Sequence, residues 1–247
     1  MPKSSTAESL LGRVALVTGG GRRLGAAISV GLAEAGADVG VHYAQSAAEA
    51  QETSETIGGL GRRGALLQAD LRHMDQAQGL VRAALDTFGR LDLLVHAASP
   101  FEPAPFPDVT EAIWDNALDV TLKAAFFAAQ AAAPALAERS GCIVMLSDVA
   151  ATAPYPSFIP HSVAKAGLDA LTRALAVALA PRVRVNGVAP GVVLPPAWWD
   201  TERTERAAAG TLVGHIGTPQ DIVRAILFLA DSPYMTGQTI VVDGGKR

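Results

Sequence analysis

A doubly wound α/β fold, with one parallel sheet of about seven strands and helices on both faces, follows from three observations on the 247-residue sequence. Short apolar runs alternate with amphipathic or Ala-rich segments along the chain. Several of the runs are apolar throughout rather than alternating, the pattern of parallel strands covered on both faces. The first run also leads into a glycine-rich turn and then a helix, the opening of a βαβ unit. Strands are expected at Arg13–Thr18, Asp38–Tyr43, Gly64–Ala69, Leu91–His96, Cys142–Leu146, Val183–Val188 and Thr239–Val242. In such a sheet, ligands collect at the carboxyl ends of the strands, so the residues just after each strand carry most of the functional information.

Hydrophobic residues make up 49% of the chain, enough for one sizeable core, and the expectation is a single domain over 11–247 preceded by a flexible tail over 1–10. The net charge of −4 and the lack of a Lys/Arg run argue against nucleic acid or an anionic membrane as partner. Cys142 is the only cysteine and the N-terminal residues are polar, which points to the cytoplasm. The Ala/Phe-rich run from Ala124 to Ala137 is interrupted by Gln130 and Pro134 and reads as too short to cross a bilayer. His42, His73, His96 and His215 have no ligand spacing to each other or to Cys142, so no metal site is expected.

The turn reads Thr18-Gly19-Gly20-Gly21-Arg22-Arg23-Leu24-Gly25, with a helix running on to about Gly36. Glycines let backbone amides approach a pyrophosphate, and the helix N-terminus behind them favours an anion. With a strand before it and the apolar strand Asp38–Tyr43 after the helix, this is a Rossmann-type dinucleotide site. The second strand of a site selective for NAD usually ends in a carboxylate for the ribose. Here the chain continues His42-Tyr43-Ala44-Gln45-Ser46, and Arg22 and Arg23 stand in the turn, so NADP(H) is favoured. The alternative is that both arginines are solvated and that Ser46 only caps the next helix, with Glu49 at capping-box spacing.

Asp70-Leu71 follows the third strand, His96-Ala97-Ala98-Ser99 ends and follows the fourth, Ala189-Pro190-Gly191 ends the sixth, and Thr236-Gly237-Gln238 opens the last. From about residue 11 to 245 the chain resembles the short-chain dehydrogenase/reductase family, and within it most closely the pteridine reductases. The Thr18–Gly25 turn with Arg23 at a usual glycine position, the stretch His42–Ala50, and Ala98-Ser99-Pro100-Phe101 carry that resemblance. It implies cofactor contacts at Gly19, Arg22, Arg23, Leu24, Gly25, Tyr43, Gln45, Ser46, Asp70, Leu71, Ala97, Ala98, Ser99, Lys165, Pro190 and Gly191. It also places Phe101 to stack on a flat heterocycle. Gln45 stands where pteridine reductases usually carry an arginine.

The family's Ser, Tyr and Lys lie with Ser thirteen residues before Tyr, and Tyr and Lys one helical turn apart. Counting back from His161-Ser162-Val163-Ala164-Lys165, Asp148 takes the serine position, as it does in pteridine reductases, and His161 takes that of the tyrosine. Thr121 and His96-Ala97 replace the family's usual asparagines. An Asp148–His161–Lys165 set is chemically sensible, since an ordinary imidazole titrates near 6.5 and donates a proton at neutral pH. Lys165 lies at i+4 from His161, on the same helix face, and by resemblance grips the nicotinamide ribose. Reach is the harder test: an imidazole tip extends roughly 2 Å less from its Cα than a phenolic oxygen. Three arrangements stay open: a deeper substrate, a bridging water, or Asp148 as proton source. Each residue also has a bland reading, His161 as a helix-start histidine and Asp148 as a turn residue.

The segment 192–214, with Trp198-Trp199 beside prolines, reads as a lid, with Tyr155 and Trp198 as substrate contacts; a tryptophan packing between subunits is the alternative. The helix Pro160–Ala180 has a Leu168/Leu171/Leu175/Leu179 stripe, and Ile222, Leu227 and Leu229 form another apolar surface; periodicity does not separate core from interface, but the resemblance implies a homotetramer. The reading that follows is an NADPH-dependent reductase of a flat C=N or C=O substrate, pterin-like by resemblance. The alternatives are a 3-oxoacyl or general ketone reductase, and a homologue impaired in catalysis that serves as a sensor or regulatory subunit.

Overall fold

The computed structural model describes residues 9–196 and 198–246. Seven parallel strands form one sheet: β1 Val14–Thr18, β2 Asp38–Tyr43, β3 Gly64–Gln68, β4 Leu93–His96, β5 Cys142–Leu146, β6 Arg184–Pro190 and β7 Thr239–Val242. Their spatial order is β3-β2-β1-β4-β5-β6-β7. The chain moves outward from β1 in one direction and then from β4 in the other, so a crevice opens between the ends of β1 and β4. β1 shows why the sheet is buried on both sides. Val14 and Leu16 join the core on one face, whereas Ala15 and Val17 join the core on the other.

Helices α1 Arg23–Glu34, α2 Ala47–Gly59 and α8 Pro219–Asp231 cover the Ala15/Val17 face. The opposite face is covered by α3 Met74–Phe88, α5 Ala124–Glu138 and α6 Ile159–Leu179. Helix α4 Glu111–Leu118 continues through a π-helical stretch, Asp119–Lys123, into α5, and α7 Thr201–Ala209 lies on the segment before α8. The helical run Glu111–Glu138 is therefore 28 residues long and, by length and composition, apolar enough to cross a membrane. The sequence reading, which took an apolar run from Ala124 to Ala137 interrupted by Gln130 and Pro134, underestimated its length. Ala124, Ala125, Ala128, Ala129, Ala132 and Leu136 of this run are packed in the core.

The stretch expected as a flexible tail over 1–10 is packed at its end. Residues 1–8 lie outside the described residues, while Leu10 is 2% exposed and its N–H donates to the Ala35 carbonyl (2.8 Å). The leucine stripe of α6 turns out to face inward: Leu168 and Leu175 are in the core, with Leu171 and Leu179 packed on it. Ile222 and Leu229 are likewise core residues and Leu227 packs against them. The apolar side chains left outside are different ones, including Phe126, Val163, Val177, Phe228, Tyr234 and Val241.

Gly25 shows how tightly the first turn is built. A Cβ there would lie 1.9 Å from the Gly19 carbonyl oxygen, which is backbone and has no rotamer to yield. Gly25→Ala is expected to lower the unfolding free energy by about 3 kcal/mol or more. A denaturation midpoint within experimental error of wild type would show that the turn has slack.

Candidate active site

The crevice between β1 and β4 is floored by the glycine-rich turn. Gly19 has φ +66°, and a Cβ on it would sit 3.0 Å from Cα of Ala98. Arg23 keeps the glycine-like backbone of its position, φ +51°, a conformation that costs an L-residue about 1–2 kcal/mol. Its guanidinium donates to the carbonyls of Leu194 (3.0 Å) and Pro195 (3.4 Å), tying the turn to the segment before α7. Arg22 precedes α1 in extended backbone and makes no side-chain cap, and no acidic residue occupies the first turn. The first N–H groups of α1 thus face the crevice end without a capping side chain.

Beyond β2, Tyr43 and Ser46 are half-buried and Gln45 is exposed. The Ser46/Glu49 capping box does not form: Ser46 starts α2 without a side-chain cap bond. Asp70 after β3 is committed to Arg72, whose Nε lies 3.0 Å from both carboxylate oxygens, and this pairing holds Asp70 down at about 2. The Leu71 side chain is buried, so only its backbone faces the crevice side. Pro190 is buried at the end of β6, and Gly191 follows it half-buried.

Two buried histidines that the sequence left without a role define this crevice. His96 on β4 donates from Nε2 to the Thr121 carbonyl (3.1 Å), because a carbonyl only accepts. Its Nδ1 therefore accepts from the Thr18 hydroxyl (3.1 Å), which in turn accepts the N–H groups of Ala97 (3.0 Å) and Ala98 (3.1 Å). His42 on β2 accepts the Gly19 N–H at Nδ1 (2.8 Å) and donates from Nε2 to the Ala69 carbonyl (3.1 Å). Burial pushes His42 down to about 4, against the opposing pull of the Ala69 carbonyl and Asp70. Burial, reinforced by the charges of Lys165 and His42, pushes His96 down to about 3. Position near the carboxyl end of a strand was the available signal for both, and metal spacing was the wrong criterion for them.

Asp148, His161 and Lys165 come together beside the crevice. The short turn Val149–Ala151 after β5 orients Asp148, whose Oδ1 accepts the Ala150 N–H (2.7 Å). His161, 5% exposed in the first turn of α6, has Nε2 3.6 Å from Asp148 Oδ2. Its Nδ1 donates to the Pro100 carbonyl (3.2 Å) and lies 3.4 Å from the Ser99 hydroxyl, which pairs with the Thr121 hydroxyl (2.9 Å). With Nδ1 so used, Nε2 is buried and has no hydrogen-bond partner among the described residues. Lys165, 3% exposed, donates to the Leu146 carbonyl (2.5 Å). Burial pushes this ammonium down to about 8, with Asp148 and Asp169 pulling the other way.

The aromatic wall extends outward from His161. The Phe101 ring meets His161 edge-on at 5.0 Å and stacks on Phe158 at 4.3 Å; Tyr155 packs edge-on against Phe158 at 6.2 Å. Tyr155 was expected as a substrate contact, yet its hydroxyl accepts from Lys246 Nζ (2.7 Å) near the C-terminus. Trp198 is 53% exposed, and Arg203 of α7 lies over its ring (4.7 Å) and over that of Trp199 (5.0 Å). No group of three or more metal-ligating side chains occurs among the described residues.

Comparison with known proteins settles the family. The sequence profile of the enoyl-(acyl carrier protein) reductase family matches residues 21–247. An uncharacterized oxidoreductase of Methylorubrum extorquens is 39% identical, over 97% of this chain and 100% of its own length. The chain belongs to the short-chain dehydrogenase/reductase family. A short-chain dehydrogenase of Burkholderia cenocepacia in complex with NADP is 34% identical (TM-score 0.90; 96% of this chain, 98% of the other). A 7α-hydroxysteroid dehydrogenase complexed with NADH and 7-oxo glycochenodeoxycholic acid is 29% identical (TM-score 0.92; 99% and 98%).

This short-chain dehydrogenase/reductase is accordingly an oxidoreductase that works with a nicotinamide cofactor. Its own residues fit that group: the Gly19 cradle would be filled by a Cβ, and the α1 N-terminus carries no capping side chain. The buried imidazoles make stability pH-dependent. His42 and His96 titrate near 6.5 when unfolded but lower when folded, so the unfolded chain binds more protons below 6.5 and stability falls with pH down to about 4. While both titrate, the expected slope is up to about 2.7 kcal/mol per pH unit. Urea unfolding between pH 7 and 4.5 checks this, and a flat profile contradicts it. Lys165 carries the opposite kind of cost. Its folded value lies below 10.5, so stability rises with pH from about 8 to 10.5, and at pH 7 the buried charge costs about 3 kcal/mol. Lys165→Met should therefore unfold later than wild type at pH 7, with the advantage shrinking by pH 10; a less stable variant at pH 7 would refute the sign.

Proposed function

We propose that this enzyme is an NADPH-dependent reductase that delivers a hydride to a C=N or C=O of a flat, conjugated, pterin-like substrate, with His161 as proton donor. The observation that carries the reading is the bonding of one imidazole: with Nδ1–H held by Pro100, any further proton of His161 resides on Nε2, next to Asp148. Asp148 stabilises that proton before transfer and draws the next one in afterwards, since its side chain is 23% exposed and His161 is not. Bound nicotinamide supplies the hydride. Lys165 and Ser99 orient it, Phe101 backed by Phe158 offers a flat surface to the substrate, and the segment 192–214 with Trp198 and α7 covers the site.

The preference for NADPH is supported by three features: no carboxylate between His42 and Ser46, two exposed guanidinium groups at Arg22 and Arg23, and a Ser46 hydroxyl not used as a cap. The Burkholderia relative holds NADP and the hydroxysteroid dehydrogenase NADH, so the family accommodates both. We assign one domain from Leu10 onward, a homotetramer built on the outward Phe126, Val163, Val177, Phe228 and Val241, and the cytoplasm, in keeping with a single buried thiol.

A second reading, a homologue that binds cofactor without turnover, is favoured by the shorter reach of an imidazole. NADPH oxidation with dihydrobiopterin, dihydrofolate, a 3-oxoacyl thioester and simple ketones decides between them. Under the first reading wild type turns over a pterin, His161→Ala loses about 100-fold or more in kcat while still binding NADPH, and His161→Tyr is no better than wild type. An inactive wild type with an active His161→Tyr establishes the second reading. Preference for the thioester or ketones keeps the reductase and replaces the substrate class.

A further inference from the structure

We infer that His42 is the positioning residue of the cofactor turn, a neutral imidazole of fixed tautomer that sets the ends of β1, β2 and β3 relative to one another. Both of its nitrogens are used, and their partners leave no choice of proton. The Gly19 N–H is a donor, so Nδ1 is bare; the Ala69 carbonyl is an acceptor, so Nε2 carries the hydrogen. The ring is 2% exposed and water does not compete for either bond.

The three segments joined in this way are the ones that line the crevice on the adenosine side. Gly19 opens the turn after β1. His42 precedes Tyr43, Gln45 and Ser46, and Ala69 precedes Asp70 and Leu71. Adjacent backbone bonds reinforce the junction: Ala69 N–H donates to the Tyr43 carbonyl (3.1 Å), and the Gln68 side chain donates to the Ala44 carbonyl (3.1 Å). The other side of Gly19 gives no room for adjustment, because Ala98 already lies against it. Rotating the Gly19 peptide away from His42 would therefore move the turn as a whole, including the N–H groups of Arg23, Leu24 and Gly25 that have no intrahelical partner. Gly19 N–H itself is consumed by His42, which leaves those later donors as the ones facing an anion.

His42 touches no cofactor atom in this account; it acts through Gly19 and Ala69. An apolar side chain in its place leaves a donor and an acceptor unpaired in the interior, and the turn relaxes to satisfy them. Glutamine carries one acceptor and donors on a side chain of similar length, so it alone among the common substitutions reproduces both bonds.

The test compares full-length wild type, His42→Leu and His42→Gln by titration of NADPH and NADH, followed through tryptophan fluorescence, with thermal unfolding in parallel. His42→Leu should weaken both cofactors by about 10- to 100-fold and to the same degree, since the turn serves the part they share. His42→Gln should return to within about threefold of wild type. Leu binding as tightly as wild type, or Gln binding no better than an equally folded Leu variant, overturns the proposal. Should the Leu variant fail to fold, wild type still decides: nitrogen NMR of His42 at pH 7 must show a bare Nδ1 coupled to the Gly19 amide proton, and a protonated Nδ1 sinks the idea.

Discussion

Everything at the crevice depends on how the Thr18 hydroxyl closes the gap where β1 and β4 part. Two parallel strands whose following helices go to opposite faces leave backbone N–H groups at their ends with no sheet partner. Thr18 Oγ1 accepts two of them, from Ala97 and Ala98, and has one proton left to give, which it gives to His96. His96 hands the chain of donors on to the Thr121 carbonyl. That carbonyl belongs to the π-helical stretch, where the regular i→i−4 ladder is interrupted, and so it is open to a partner from outside the helix. The Thr121 hydroxyl continues to Ser99 and from there to His161. One polar path thus connects the start of the glycine turn with Nδ1 of the imidazole beside Asp148, through a region where an unpaired group would be expensive.

Much of this architecture was legible in the sequence because it rests on periodicity and glycine chemistry. Five strands coincide with their expected limits or differ by one residue at an end, and the turn after β1 is where the glycines placed it. The Asp148–His161–Lys165 set was legible only against the Ser/Tyr/Lys spacing of the family the sequence resembles. What escaped was of two kinds. The partners of His42 and His96, three backbone groups and the Thr18 hydroxyl, lie more than twenty residues away, and no local pattern encodes them. The run through Glu111–Glu138 was misjudged since Pro134 sits where the helix tolerates it, and the α6 leucine stripe was ambiguous because a two-faced sheet buries helices as thoroughly as a subunit interface would.

The site also shows where the chain departs from local optimum. Lys165 is a buried ammonium held by one carbonyl, Arg23 is an L-residue in left-handed backbone, and His161 Nε2 is an interior nitrogen without a hydrogen-bond partner. Such features persist only where surrounding packing over-determines them. They cluster here within the crevice and its rim, while the strands beneath them are apolar and regular.

The bond from Arg23 to Leu194 and Pro195 couples two parts of the molecule that are 171 residues apart in sequence. The same guanidinium belongs to the turn that receives an anion and to the chain leading into α7. Any anion that draws Arg23 toward itself must compete with those two carbonyls, and any displacement of the α7 segment that carries them away changes how freely Arg23 can turn to the anion. Because such coupling is reciprocal in free energy, an anion that engages Arg23 and a displacement of the Leu194–Pro195 carbonyls would each alter the free energy of the other by the same amount.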